Sequence, residues 1–531
     1  MSASHRNILK GMIGGGGGTL ISRVSGLARD MVAAGVFGTR GIMDVFTVAF
    51  MVPNLFRAFF GEGALNVSFI PSFTRELKDP AGDPRRLLNV VLTALAALLG
   101  AITLLGWLVC AALLAWGGLN ENGRLFCWLL MIMLPYLPLI CLTAVQVAAL
   151  NVQGKFFIPS VTPALMNLCM IGAAWFAAWR FGAERRDLGV VALAVGVMVS
   201  GVLQFAAQAW MLWRSRMEIK WVWDLAHPKL RQIGTLMLPV VLGLGVVQLN
   251  LVADRLIAQF LIPGEGANSA LWYGSHLMQF PLGVLGIALA TAAYPAFARL
   301  AVDRDDLGLT RAVNFRLRTA LLISLPCMAL MITLAEPIVR IVFERGQFTA
   351  ESTSRTAAVL AWSAVGLTAL CCVQVLARAF NAREDTTTPA RLAMYMVGLK
   401  IVLNLVFVWP MKEAGLALAS SLTNIANALT LAWLLRDELK GIGGEGVGAC
   451  FVKCLIASGA AGAAGWFAAM GLGVLHAPAA HGLHALAVQC GGLAVAFIAA
   501  GAVFAAAAWA MGMDELRGIT AAVTARLRRK G

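Results

Sequence analysis

Charged side chains are scarce in this chain, and several of them fall inside long apolar stretches. The stretch 11–37 contains Ser22, Arg23, Arg29 and Asp30, and the stretch 44–74 contains Asp44, Asn54, Arg57 and Glu62. An ionisable group at the centre of a bilayer costs about 2.5–3.5 kcal/mol on insertion scales, and such groups normally face a bundle interior or a wet cavity. At about 100° per residue, Arg23, Gly26 and Asp30 share one helix face, with Ser22 and Arg29 on the adjoining one. Asn54, Arg57 and Gly61 form a second strip. Three arginines on two neighbouring helices, with few carboxylates to neutralise them, make a pocket suited to phosphate, because guanidinium groups bind phosphate oxygens two at a time. The other reading of Arg29 is a lock between helices, paired with Asp30 or Glu62.

The second half of the chain has its own outliers: Asn250, Asp254 and Arg255 in the stretch 233–262, His276 in 270–298, and Lys400 with Asn404 in 390–410. Asp254 and Lys400 are expected to pair if their helices are neighbours, either as a structural link or as a proton-linked switch. His276 is either a satisfied polar group or a titratable ligand facing a cavity. HExxH, Walker and GxSxG motifs are missing and the six His are scattered, so neither catalysis nor a metal site is expected. Without a nucleotide-binding loop, uphill transport has to draw on an ion gradient or the membrane potential.

The elements that position these residues follow from composition. The chain has 531 residues, 60% of them hydrophobic and only 13% charged, and its mean hydropathy is +0.79; a soluble domain carries roughly 25% charge. An all-α polytopic membrane protein is expected, with spans near 11–37, 44–74, 87–116, 125–152, 158–181 and 188–213, then 233–262, 270–298, 316–336, 355–381, 390–410 and 414–435, and finally 449–474 and 485–511. Fourteen transmembrane helices put both termini on one side. Most of the 42 Lys and Arg fall in segments on that side, which makes it cytoplasmic, with Arg185 and Arg186 a local exception. In a soluble protein the net charge of +15 would suggest nucleic acid; here its placement is a topology signal. The ten Cys lie in apolar segments as buried free thiols.

An internal repeat divides the chain. Pro71, Phe73 and Arg75 recur as Pro295, Phe297 and Arg299, 224 residues later, and Asn151 with Pro159 recurs as Asn381 with Pro389, 230 residues later. Two pseudo-symmetric six-helix lobes are expected, residues 1–217 and 233–440, with two appended helices and a basic tail in 441–531. The joining segment 218–232 mixes Trp221, Trp223 and Leu225 with Lys220, Lys229 and Arg231, as either an interfacial helix or a loop with aromatic anchors. The glycine run 14–18 predicts a bend or a close helix crossing.

Ser22-Arg23-Val24 with Gly26, Arg29 and Asp30, then Asp44, Pro53-Asn54 with Arg57, and Glu62-Gly63-Ala64 resemble the opening of the MurJ (MviN) lipid II flippases. The resemblance continues through Gln279 to Pro281 with Gly283, Gly286, Ala288 and Leu289, through Phe343-Glu344-Arg345-Gly346 with Phe348-Thr349, and through Arg378 to Phe380 with Asp385-Thr386 and Thr388-Pro389. It covers about residues 5 to 440, in order. It implies the fold of the multidrug/oligosaccharidyl-lipid/polysaccharide exporters and, as substrate, lipid II, an undecaprenyl pyrophosphate carrying the disaccharide-pentapeptide of peptidoglycan. It also implies a place in the bacterial inner membrane. By position, the family's cavity arginines fall on Arg23, Arg29 and Arg57 and its acidic positions on Asp44 and Glu62. His276 stands where the family often has an arginine. Some members bind sodium near the positions of Asp254 and Asn404, and Lys400 sets a fixed cation beside that place. The alternatives are a flippase for another lipid-linked oligosaccharide, a multidrug or cation antiporter of the same fold with acidic cavity residues, a non-enzymatic scaffold, and a membrane transferase.

Overall fold

The computed structural model describes residues 3–60, 65–182, 185–283, 287–444, 446–475 and 482–513. Glu62, Gly61 and the basic tail beyond Met513 lie outside them. The regular structure among the described residues is helix, with no strand among them. They belong to two compact units, Met1–Val252 and Ala253–Gly531.

In the first unit the helices are α1 (Ala3–Phe37), α2 (Gly41–Arg57), α3 (Leu65–Lys78), α4 (Pro84–Trp116), α5 (Glu121–Met133), α6 (Tyr136–Val152), α7 (Phe157–Phe181) and α8 (Arg186–Arg214), followed by most of α9 (Pro228–Leu261). The boundary between the units falls inside α9. The second unit contains α10 (Ala267–Pro281), α11 (Ile287–Val302), α12 (Asp306–Thr333), α13 (Ala335–Phe343), α14 (Ala350–Ala364), α15 (Leu367–Ala382), α16 (Thr387–Glu438), α17 (Val447–Gly471) and α18 (Leu483–Ala510).

Every expected span coincides with a helix or a pair of helices, but length and apolarity alone do not return fourteen. Among the described residues ten helices are long and apolar enough to cross a membrane, or eleven if the bent pair α14 and α15 is one span. The expected span 11–37 lies in the unbroken α1, which is not among those ten, whereas 44–74 is represented there by Gly41–Phe60. The stretch 270–298 holds α10 and α11, with Pro281 at the end of α10. Pro lacks the N–H that would continue the ladder, so a helix bends or ends there. The stretches 390–410 and 414–435 run together in α16, which is kinked at Lys412 (φ 52°, ψ −132°) two residues after Pro410.

Capping residues set several ends. Asp83 accepts from the Arg86 amide at 3.0 Å with Pro84 at the first turn of α4, and Asn120 accepts from Gly123 at 2.8 Å at the start of α5; each satisfies an orphan N–H. The repeat is visible in the packing. Pro71 and Pro295 sit inside α3 and α11, Arg75 and Arg299 in their last turns, and Phe73 and Phe297 are both fully buried. α3 packs on α6, and α11 on α15.

The glycine run does not break α1, which is continuous through it. Gly18 instead allows a close crossing: a Cβ there would collide with Ser160 of α7. Residues 218–227 contain no regular helix, so of the two readings, an interfacial helix or a loop with aromatic anchors, the segment takes the second, as a strap along α4. Its Lys220 and Val222 amides donate to Asn89 Oδ1 (2.9 Å) and Thr93 Oγ1 (3.1 Å), and Asn89 Nδ2 donates to the Glu218 carbonyl (3.0 Å). These side chains satisfy backbone groups that a helix would have paired internally. The thiols are free, yet Cys490 is exposed rather than buried.

Candidate functional site

Each unit carries a polar cluster inside its helices. In the first, the buried Arg29 of α1 donates from Nε and Nη2 to Asp30 Oδ1 at 3.0 and 2.8 Å, and from Nη1 to Asn167 Oδ1 of α7 at 3.2 Å. Asn167 Nδ2 returns to α1, donating to the Ser22 carbonyl (3.0 Å) and Ser25 Oγ (2.9 Å). Arg29 and Asp30 are 8% and 4% exposed. A buried pair holds only when further hydrogen bonds complete the coordination of the charges, and Asn167 supplies one. Of the two partners weighed for Arg29, Asp30 makes the contact, while Glu62 lies outside the described residues.

Arg23 stands six residues before Arg29 on α1, half-buried, and Ser22 beside it is half-buried too. On α2, Arg57 Nε donates to Asn54 Oδ1 at 2.8 Å, and both side chains are half-buried. The Tyr136 side chain of α6, hydrogen-bonded with Gln204 of α8, lies within electrostatic reach of Arg57 and Arg29. Arg29 of α1 and Arg57 of α2 thus lie near the same side chain. Asp44 is buried in the first turn of α2, where a carboxylate meets the positive end of the helix dipole.

In the second unit Lys400 Nζ of α16 meets Asp254 Oδ2 of α9 at 2.7 Å, and Asn404 Nδ2 donates to Asp254 Oδ1 at 2.7 Å. The expected Asp254–Lys400 pair is present. Asp254 follows Asp30 by 224 residues, the offset of the sequence repeat, so both units place an aspartate, a cation and an asparagine between their first and fifth spans. The donor set does not fit a sodium ion, because the ammonium and an amide already take both carboxylate oxygens. One residue on, Arg255 Nη1 donates to the Asn268 carbonyl at 2.5 Å and its guanidinium stacks over Trp272 at 5.7 Å. Trp272 in turn meets the half-buried His276 edge to face at 4.4 Å.

Sequence reasoning missed the uncharged partners, Asn167, Tyr136, Gln204 and Asn268, because such residues occur in many helices without consequence. It also missed Arg355, whose Nε donates to the buried Glu413 at 2.5 Å beside the Lys412 kink. An acid next to a proline within an apolar run was the available signal. The Phe343 to Thr349 motif is a turn: Gly346 takes φ 58°, Thr349 caps α14, and Phe343 and Phe348 close on Tyr273 at 5.1 and 5.7 Å.

The family model described as "Lipid II flippase MurJ" matches residues 33–476. The chain belongs to the MurJ family. Among curated MurJ relatives, one from Vibrio cholerae serotype O1, named "Probable lipid II flippase MurJ", is 35% identical over 80% of this chain and 82% of its own. The "Lipid II flippase MurJ" of Burkholderia cenocepacia is 32% identical over 81% and 84%. A solved MurJ structure in an inward closed conformation superposes with a TM-score of 0.74 over 92% of this chain and 98% of that one, at 23% identity. An inward-facing multidrug transporter of the MATE family and the MOP superfamily gives 0.64 over 79% and 95%, at 15% identity. At those identities the structural likeness speaks for the fold, which is that of the MOP transporters. The MurJ family match makes the chain a multi-span membrane protein of a transporter family.

Proposed function

We propose that this chain moves lipid II from the cytoplasmic to the outer leaflet of the bacterial inner membrane by alternating access, as a carrier and not as an enzyme. The support for the reading is that Arg29 of α1 and Arg57 of α2 both lie near Tyr136, in a MurJ chain, with Arg23 half-buried six residues before Arg29. A pyrophosphate needs several fixed cations with free access, and guanidinium groups serve it with paired hydrogen bonds. Arg29 acts one step back. Held by Asp30 and Asn167, it fixes α1 to α7 and adds positive potential to the pocket. Ser22 and Asn54 orient the neighbouring arginines, and Asp44 anchors the start of α2. His276, held edge to face by Trp272, is a titratable group of the second unit. No cofactor is needed; the membrane potential or an ion gradient supplies the energy. The termini face the cytoplasm.

The test is the appearance of lipid II in the outer leaflet of proteoliposomes, read with a membrane-impermeant reagent. Arg57→Ala and Arg23→Ala are each expected to slow it at least about thirtyfold, the ~2 kcal/mol lower end for removing one partner of a desolvated charged contact. Insertion and thermal midpoint should stay unchanged. Wild-type rates in the double variant would overturn the assignment of the pocket.

A further inference from the structure

The strap 218–227 carries a second feature that transport does not use. From Trp221 to Leu225 its side chains alternate. Trp221 and Trp223 are 79% and 70% exposed and Leu225 is exposed, while Val222 and Asp224 turn partly inward against α4. The alternation matches the donors, since Lys220 and Val222, two residues apart, both donate toward α4, as in an extended segment of period two. The result is a ridge of two indoles and a leucine with its polar backbone already satisfied by Asn89 and Thr93. In water such a ridge is costly; in a membrane interface it is favourable.

The level of the strap fits that interface. α4 has 33 residues, about 50 Å at ~1.5 Å per residue, against a hydrocarbon core of ~30 Å. About 20 residues counted back from its far end at Trp116 reach the turn just beyond Thr93, which leaves Asn89 and Thr93, and the strap on them, at head-group depth. α8, which leads into the strap, ends with the same marker: Trp210 and Trp213 are exposed and the Arg214 guanidinium sits over Trp210 at 5.1 Å, an aromatic ring at the interface with a cation reaching for phosphate. The charge agrees. Arg214, Arg216, Lys220, Lys229 and Arg231 flank or lie in the segment in sequence and Arg86 reaches it through Asp224, against Glu218 and Asp224 within it and Glu76, which pairs with Lys229. The Lys220 side chain is 70% exposed and meets the exposed Glu218 at 2.9 Å, and Arg86 meets Asp224 at 2.9 Å.

We infer that the strap is a membrane-docking element, with Trp221, Trp223 and Leu225 seated among the lipid head groups and the flanking Lys and Arg selecting anionic phospholipids. Because it leads directly into α9 at Pro228, docking fixes the start of that helix to the membrane surface. The inference rests on the chain spanning a membrane and is independent of the substrate.

The experiment uses the full chain in nanodiscs, with a bimane fluorophore on Leu225→Cys in a Cys490→Ser background that removes the exposed native thiol. Quenching is compared for brominated phosphatidylcholine, brominated phosphatidylglycerol and aqueous iodide. Both lipids are expected to quench more than iodide, with phosphatidylglycerol several times more effective at equal content. Lys220→Gln should lower that preference by about fivefold, the ~1 kcal/mol that one basic residue gains at an anionic surface. Stronger quenching by iodide than by either lipid would overturn docking, and equal quenching by the two lipids would overturn the selection of anionic head groups. Trp221→Ser with Trp223→Ser, checked for monodisperse folding, should shift the fluorophore toward iodide. A double variant still quenched by lipid would show that the ridge is not the anchor.

Discussion

Removing one side of the Asp254–Lys400 contact leaves an uncompensated charge between α9 and α16. Lys400→Met alone should therefore destabilise the chain by about 3–5 kcal/mol, whereas Asp254→Leu with Lys400→Met should recover most of the loss, because two apolar groups of similar volume avoid the desolvation cost. Thermal midpoints in detergent separate these outcomes; a loss below about 1 kcal/mol in the single variant would mean the pair behaves as an exposed one. Asp385, in the turn before α16, gives a pH-dependent counterpart. Its carboxylate accepts from Thr388 and Thr387, and these bonds hold it down at about 2. A carboxylate held below its unfolded value stabilises the fold above that value and loses the contribution as pH falls. The stabilisation should be complete above about pH 4 and fade toward pH 2, and Asp385→Ala should remove about 1 kcal/mol at neutral pH together with that acid-side slope. Unfolding midpoints across pH measure both.

Helix crossings set the next scale. Gly18→Leu should lose transport and lower stability, because the added side chain meets Ser160 at the contact of α1 with α7. The neighbouring Asn167→Leu should loosen the same pair of helices by removing the bonds to Arg29 and Ser25. If Gly18 served only as a hinge, Gly18→Ala paired with Ser160→Gly, which removes the clashing side chain and leaves the residue-160 carbonyl carbon 2.9 Å from the new Cβ, would leave transport lost; partial recovery in that double variant, read by the flipping assay, assigns the glycine to packing. The broken spans belong to this scale too. α14 and α15 meet at a 40° bend where Gly366 lies so close to the Ser421 backbone that a Cβ would stand 2.7 Å from its Cα.

At the scale of the whole molecule, the repeated aspartate, cation and asparagine between equivalent helices gives the two units a common frame with different cations, arginine in one and lysine in the other. Topology is testable here. Cysteines introduced at Asp305, before α12, should be shielded from an impermeant thiol reagent in intact cells, and ones at Asn120, before α5, should react. The reverse pattern would invert the orientation deduced from Lys and Arg. The all-helical membrane fold class was legible in the sequence, because a lipid solvent demands long apolar runs and tolerates few charges. For the same reason Arg23, Arg29, Arg57, Asp254 and Lys400 stood out. What tertiary structure alone decided is which polar groups meet. Arg29 turns to Asp30 and Asn167, Lys400 to Asp254 with Asn404, and the Trp-rich joint lies as a strap on Asn89 and Thr93, because hydrogen-bond partners are chosen by distances between helices far apart in the chain, and no local pattern encodes those distances.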